Sequence, residues 1–144
     1  MHNRTSNRTT RRASRREELF AAVVAAATGV LAFAGAIGVI GGGTGFGTEI
    51  EQRLPWDSPV MAGVALALVV GVPTLAAAYA LWRSLPRAAL TTLIAGVMLV
   101  AWIAVQVVVI REFHVLQIVF GLIGLYLAAT GWHLAGIRTD RGMQ

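Results

Sequence analysis

The chain is predicted to be all-α: a transmembrane, up-down four-helix bundle behind a disordered, basic amino-terminal tail. Three observations predict it. Of its 144 residues, 56% are hydrophobic and only 13% charged, with a mean hydropathy of +0.68; soluble domains are about half apolar and about a quarter charged. Four apolar stretches, at about 19–40, 60–82, 88–110 and 115–135, contain no Asp, Glu, Lys or Arg, and about 20 residues at 1.5 Å each cross a hydrocarbon core about 30 Å thick. The remaining charge is gathered in the two tails and the three gaps between stretches. A soluble bundle needs a polar face on every helix, and these stretches have none. The resulting organisation is an Arg-rich cytoplasmic tail at 1–18, a four-helix transmembrane domain at 19–137 and a short cytoplasmic tail at 138–144.

The tail, MHNRTSNRTTRRASRREE, carries six Arg before the first stretch. Arg83 and Arg87 lie between the second and third stretches, and Arg138 and Arg141 follow the fourth. The other two gaps hold only Arg53 and Arg111, so the count is ten Arg on one side against two on the other. Positive residues in short flanking segments stay cytoplasmic, which predicts a multi-pass protein of the cell membrane with both termini inside. The sequence pI of 11.3 comes mostly from this tail, and no nucleic-acid partner is expected. Two further readings attach to the same segment. SRREELF followed by Ala32-Phe33-Ala34 partly mimics an export signal with a cleavage site, although Glu18 stands where an apolar residue belongs. RRAS around Ser14 matches a low-specificity phosphorylation pattern.

The gaps set the connections. Those at 83–87 and 111–114 are short enough to make the last three helices consecutive antiparallel neighbours. The first gap, GGGTGFGTEIEQRLPWDSP, is long and its Gly run holds a helix poorly. Asp57 or Ser58 is placed to cap the second helix with Pro59 in its first turn. Pro86 and Arg87 open the third, and Pro73 interrupts the second from within. In lipid, helices are held together by close approach of small residues. Gln117, Gly121, Gly124, Ala128, Gly131 and Ala135 recur at steps of four and three along the fourth stretch, and Gly121, Gly124, Ala128 and Gly131 are the expected helix-packing residues. Shorter stripes are Ala34, Gly38 and Gly42 on the first stretch, and Gly63, Ala67, Gly71 and Thr74 on the second. Trp56, Trp82 and Trp132 read as interfacial anchors.

Polar groups collect at the outward end. Trp102, Gln106 and Ile110 share one face of the third helix through steps of four. Gln106 and Gln117 then stand at similar depth on adjacent antiparallel helices, beneath Arg111, Glu112 and His114. A buried amide without a partner costs about 1–3 kcal/mol, so a hydrogen bond between the two amides is expected. Glu49, Glu51, Arg53, Trp56 and Asp57 of the first gap are placed to fold over this hairpin. These ten side chains, Gln106, Arg111, Glu112, His114, Gln117, Glu49, Glu51, Arg53, Trp56 and Asp57, form the candidate outward polar patch.

Several chemistries lose their residues. With no cysteine, thiol redox, disulfides and iron–sulfur ligation are excluded. His114 and His133 lie at opposite ends of the fourth helix, about 28 Å apart along its axis, and cannot share a haem. GGGTGFG has neither the GK[ST] nor the preceding strand of a phosphate-binding loop. Proton-coupled transport normally needs an ionisable group within the bilayer, and the stretches offer no carboxylate. No cofactor, metal site or catalytic residue is therefore expected.

The segments LPWDSPVMAGVALALVVGVP and WIAVQVVVIREFHVLQ resemble a widespread group of small four-span bacterial membrane proteins, over roughly residues 54–131. The resemblance implies the same architecture and carries over no catalytic residues. The function expected is that of a non-enzymatic structural, accessory or interaction protein that packs in the bilayer against itself or a larger membrane complex. The alternative is a small oligomeric transporter or channel for an uncharged or weakly charged solute, its pore lined by Thr28, Thr74, Thr91, Thr92, Gln106 and Thr130.

Overall fold

The computed structural model describes residues 3–41, 58–110 and 115–141. They form four long helices and, among the described residues, no strand: α1 (Asn3–Ile40), α2 (Pro59–Trp82), α3 (Ala88–Ile110) and α4 (Val115–Arg141). Within them, Arg15–Ile40, Pro59–Trp82, Ala88–Val108 and Val115–Gly136 are long and apolar enough to cross a membrane.

α1 corrects one expectation. Residues 3–18, read as a disordered tail, continue the first helix without a break. The reason is local: no Pro or Gly occurs before Gly29, Arg, Glu, Ala and Leu are good helix formers, and a helix already nucleated by the apolar stretch extends at little further cost.

α2 begins at Ser58, whose side chain accepts a hydrogen bond from the Met61 backbone N–H at 3.4 Å, with Pro59 in the first turn. Asp57, the other proposed cap, lies outside the described residues. Pro73 has no N–H to donate and its ring would press on the carbonyl four residues back. The helix meets this with a π-helical turn, Ala67–Gly71, directly before Val72. Thr74 stabilises the widened turn, donating its hydroxyl to the Val70 carbonyl at 2.7 Å and the Gly71 carbonyl at 3.1 Å.

The end of α2 is closed by a motif usually written with glycine. Leu85 N–H bonds the Ala80 carbonyl (2.9 Å), Ser84 N–H bonds the Leu81 carbonyl (3.1 Å), and Ser84 takes a left-handed φ of 51°. The five residues 83–87 turn the chain, and Ala88 N–H bonds back to the Leu85 carbonyl at 3.0 Å.

The close approaches give the relative directions. A β-carbon at Gly29 would meet Leu75 and Thr74, one at Gly71 would meet Phe33, and one at Gly63 would meet Ala36 and Ile40. Rising numbers on α1 thus oppose falling numbers on α2, so the pair is antiparallel. α3 and α4 repeat the pattern, with Leu93 at Gly131, Gly96 at Gly124 and Ala128, and Ile103 at Gly121. The α3–α4 seam is the tighter one, since backbone atoms themselves are the nearest neighbours. On α1 the contact face is Ala21, Ala25, Thr28, Ala32 and Ala36, all buried, while Ala34 of the stripe read from the sequence is exposed.

The core is built from small side chains. Ala21, Ala22, Ala25, Ala78, Leu81 and Leu127 cluster towards one end, and Ala32, Val70 and Leu99 towards the other. α1 meets α4 where the rings of Phe20 and Tyr126 stand edge to face, 6.0 Å between centroids. The outside is apolar: Phe20, Ile37, Leu68, Leu122 and Trp132 are all exposed. Only 22–33% of each apolar window is buried by the rest of the protein.

Candidate functional site

Away from the α2–α3 turn lies a cavity of about 230 Å³ with walls from all four helices. Small residues make the space: Ala32 and Gly35 on α1 face Leu66 and Val70 on α2, and a β-carbon on Gly35 would come only to 3.4 Å of Leu66. α3 contributes Trp102 and Gln106 one turn apart, and α4 contributes Gln117 and Phe120. Among the described residues no lining side chain carries a formal charge.

Two of the ten proposed patch residues are thereby brought together. Gln117 is buried and Gln106 half-buried, and both line the cavity. The hydrogen bond expected between them is not formed among the described residues; their shared depth brings both amides to one cavity without joining them to each other. Arg111, Glu112, His114, Glu49, Glu51, Arg53, Trp56 and Asp57 lie outside the described residues. Because the amides are not bonded to each other and Gln106 borders open space, Gln106→Leu is expected to change stability in detergent by no more than about 0.5 kcal/mol. A loss of about 2 kcal/mol on chemical or thermal unfolding would reinstate the cross-hairpin bond.

The four packing residues of α4 lie along its seam with α3. A β-carbon on Gly124 would stand 2.8 Å from Val100 Cγ2 and 3.1 Å from the Gly96 carbonyl oxygen, and one on Gly131 would stand 2.8 Å from the Ala89 carbonyl oxygen. Ala128 packs against Gly96 with its backbone, and Gly121 has more room, its nearest neighbour Ile103 being 4.0 Å away.

Sequence reasoning missed two polar groups. The first is the Trp102 indole N–H, which is enclosed and has no hydrogen-bond partner among the described residues. Such a group costs about 1–3 kcal/mol when left unmade. The signal was present in the face Trp102 shares with Gln106. The second is Arg15. Its guanidinium crosses from α1 to the end of α2, donating to Ser84 Oγ at 2.6 Å, the Trp82 carbonyl at 3.2 Å and the Leu81 carbonyl at 3.3 Å, with Glu18 of its own helix at 3.4 Å. Nothing in a run of tail arginines distinguishes this one beforehand.

Four of the five hydroxyls of the transport alternative, those of Thr28, Thr74, Thr91 and Thr92, are engaged within their own helices. Thr28 donates to the Val24 carbonyl (2.8 Å), Thr92 to that of Ala88 (2.7 Å), and Thr91 to those of Arg87 and Ala88 (both 3.1 Å). Thr28, Thr74 and Thr92 are also buried. Trp82 and Trp132 are both exposed, and His133 is exposed on α4.

No protein-family model, curated protein or solved structure matches the chain. Function is therefore argued from the site itself.

Proposed function

We propose that the chain is a multi-pass integral protein of the cell membrane, inserted as an up-down four-helix bundle with both termini cytoplasmic, and that it acts as a non-catalytic binding or accessory protein. The observation that carries the reading is the outer surface. Four helices with window hydropathies of 1.7–2.3 leave at least two thirds of those windows uncovered, and an exposed apolar area of that extent requires lipid or a partner membrane protein. The antiparallel α1–α2 and α3–α4 pairs and the five-residue α2–α3 turn support the up-down order. The ten-to-two distribution of Arg supports the orientation. The working surface in this reading is the cavity at Gln106, Gln117 and Trp102, which faces the outer leaflet. A second copy or a larger membrane complex covers part of the remaining apolar face. A transport reading gains no support from Thr28, Thr74, Thr91 and Thr92, whose hydroxyls are bonded to backbone carbonyls of their own helices.

Because the chain has no cysteine, single-cysteine labelling tests the topology without background. A membrane-impermeant maleimide is expected to label Thr48→Cys in intact cells, and to label Thr10→Cys and Gln144→Cys only after permeabilisation. Termini found on opposite sides, or a purified chain monodisperse in buffer without detergent, would sink the reading.

A further inference from the structure

Three features of the cavity define what fits it. Its volume, about 230 Å³, exceeds the roughly 150 Å³ that admits a benzene ring, so a substituted six-membered ring or a head of that size is accommodated. Among the described residues its walls are aliphatic and aromatic and bear no charge, so an ionised head would be buried among them without a counter-charge at a cost of several kcal/mol. Its polar lining groups are the neutral amides of Gln106 and Gln117, and the wall includes Trp102, whose enclosed indole N–H has no acceptor among the described residues. Water satisfies this site poorly, since each buried water needs two to four polar partners and most of the wall is hydrocarbon.

A second space adjoins the first at Leu31, which borders both. It is an open apolar groove of about 920 Å³ along α1 and α2, running from Leu31 past Val30, Ala26 and Val23 to Tyr79 and Trp82. Nine residue steps from Ala22 to Leu31 give it a length of about 13 Å, enough for a hydrocarbon chain of several carbons.

From this juxtaposition we propose that the cavity binds the uncharged, carbonyl-bearing head of a neutral membrane lipid, with the lipid's hydrocarbon chain lying in the groove along α1. The head accepts a hydrogen bond from Trp102 and a second from the Gln106 amide. The Trp102 N–H is enclosed in the empty protein, so the indole must rock towards the cavity to donate. The ligand thus supplies the acceptor whose absence destabilises the empty state, and that difference is what drives binding. Isoprenoid quinones and neutral glycerides both present this chemistry, a carbonyl head on an apolar chain. No electron transfer is involved. The proposal rests on the membrane reading above.

The test is calorimetric titration of the full chain in mild detergent with two probes, a short-tailed isoprenoid quinone and dioctanoylglycerol, using phosphatidylglycerol as the charged control. Saturable binding of either neutral probe, and not of the charged one, is expected; which probe binds assigns the source. Trp102→Phe keeps the ring and removes the donor. It is expected to weaken binding roughly five- to tenfold while raising the melting temperature of the empty protein, because the orphaned donor is gone. A merely structural role for Trp102 would move both in the unfavourable direction. Gln106→Leu, expected to fold normally, should also weaken binding severalfold. The proposal is overturned if neither probe binds above empty micelles, if phosphatidylglycerol binds equally well, or if both variants bind as the parent does. Cysteine labelling of the same material separates the failures: correct topology without binding refutes this proposal alone, and wrong topology refutes the reading beneath it.

Discussion

Gly96→Ala is expected to force α3 and α4 apart and to lower stability by about 3 kcal/mol, the upper part of the range for inserting a methyl group into a filled contact. The added β-carbon would lie 2.6 Å from the Gly124 carbonyl oxygen and 2.8 Å from Ala128 Cα, and closer still to the Ala128 backbone nitrogen. All three neighbours are backbone atoms, so no rotamer change relieves the clash and a helix has to move. Gly131→Ala should behave alike, since its neighbours are the Leu93 backbone and the Ala89 carbonyl. Gly136→Ala is the control. It lies on the same helix as Gly131, with nothing among the described residues within 4 Å of the added carbon, and there the higher helix propensity of Ala is expected to stabilise by up to about 1 kcal/mol. Thermal or denaturant unfolding in detergent reads all three. Equal behaviour of Gly96→Ala and Gly136→Ala would show that the seam does not hold the hairpin together. In lipid this sensitivity is expected, because dispersion contacts between closely fitted backbones replace the hydrophobic driving force between helices.

That seam was legible in the sequence, and the reason it was legible explains what was not. Along α4, small residues are separated by large ones at helical spacing, so Gly124, Ala128 and Gly131 mark one face unambiguously. Along α1 alanine occurs on nearly every face, and the choice of Ala34 and Gly38 over Ala32 and Ala36 had no physical basis. The four apolar helices followed from length and the absence of charge. The π-helical turn could be foreseen only as some response to Pro73. The left-handed residue closing α2 is Ser84, where the usual signal is glycine. The candidate site was legible in part: Gln106 and Gln117 do reach one cavity, but pairing them required knowing how far apart the helices stand at that depth. The face that Trp102 shares with Gln106 is visible in the sequence, but the enclosure of its indole depends on neighbours from other helices.

Arg15 joins the two kinds of information. Its position among tail arginines suggests topology alone, yet its three donations to the end of α2 satisfy carbonyls that a helix terminus leaves without partners and place a cation at the negative end of the helix dipole. Charge-assisted hydrogen bonds of this kind are worth about 1.5–3 kcal/mol. With the Arg15 side chain 43% exposed, solvent screening reduces the expected loss for Arg15→Ala to about 1–2 kcal/mol. Arg15→Lys should recover only part of it, because a point charge cannot reach Ser84 Oγ and two carbonyls at once. Arg16→Ala, on an exposed neighbour, is expected to be silent on unfolding in detergent, and equal losses for the two alanine variants would show that Arg15 acts only as tail charge. Orientation should survive Arg15→Ala, since nine of the ten arginines on that side remain. A destabilised but correctly inserted variant would therefore separate the packing role of this side chain from its topological one, and would show that the first turn of the apolar segment is anchored to the α2–α3 turn by a tail residue.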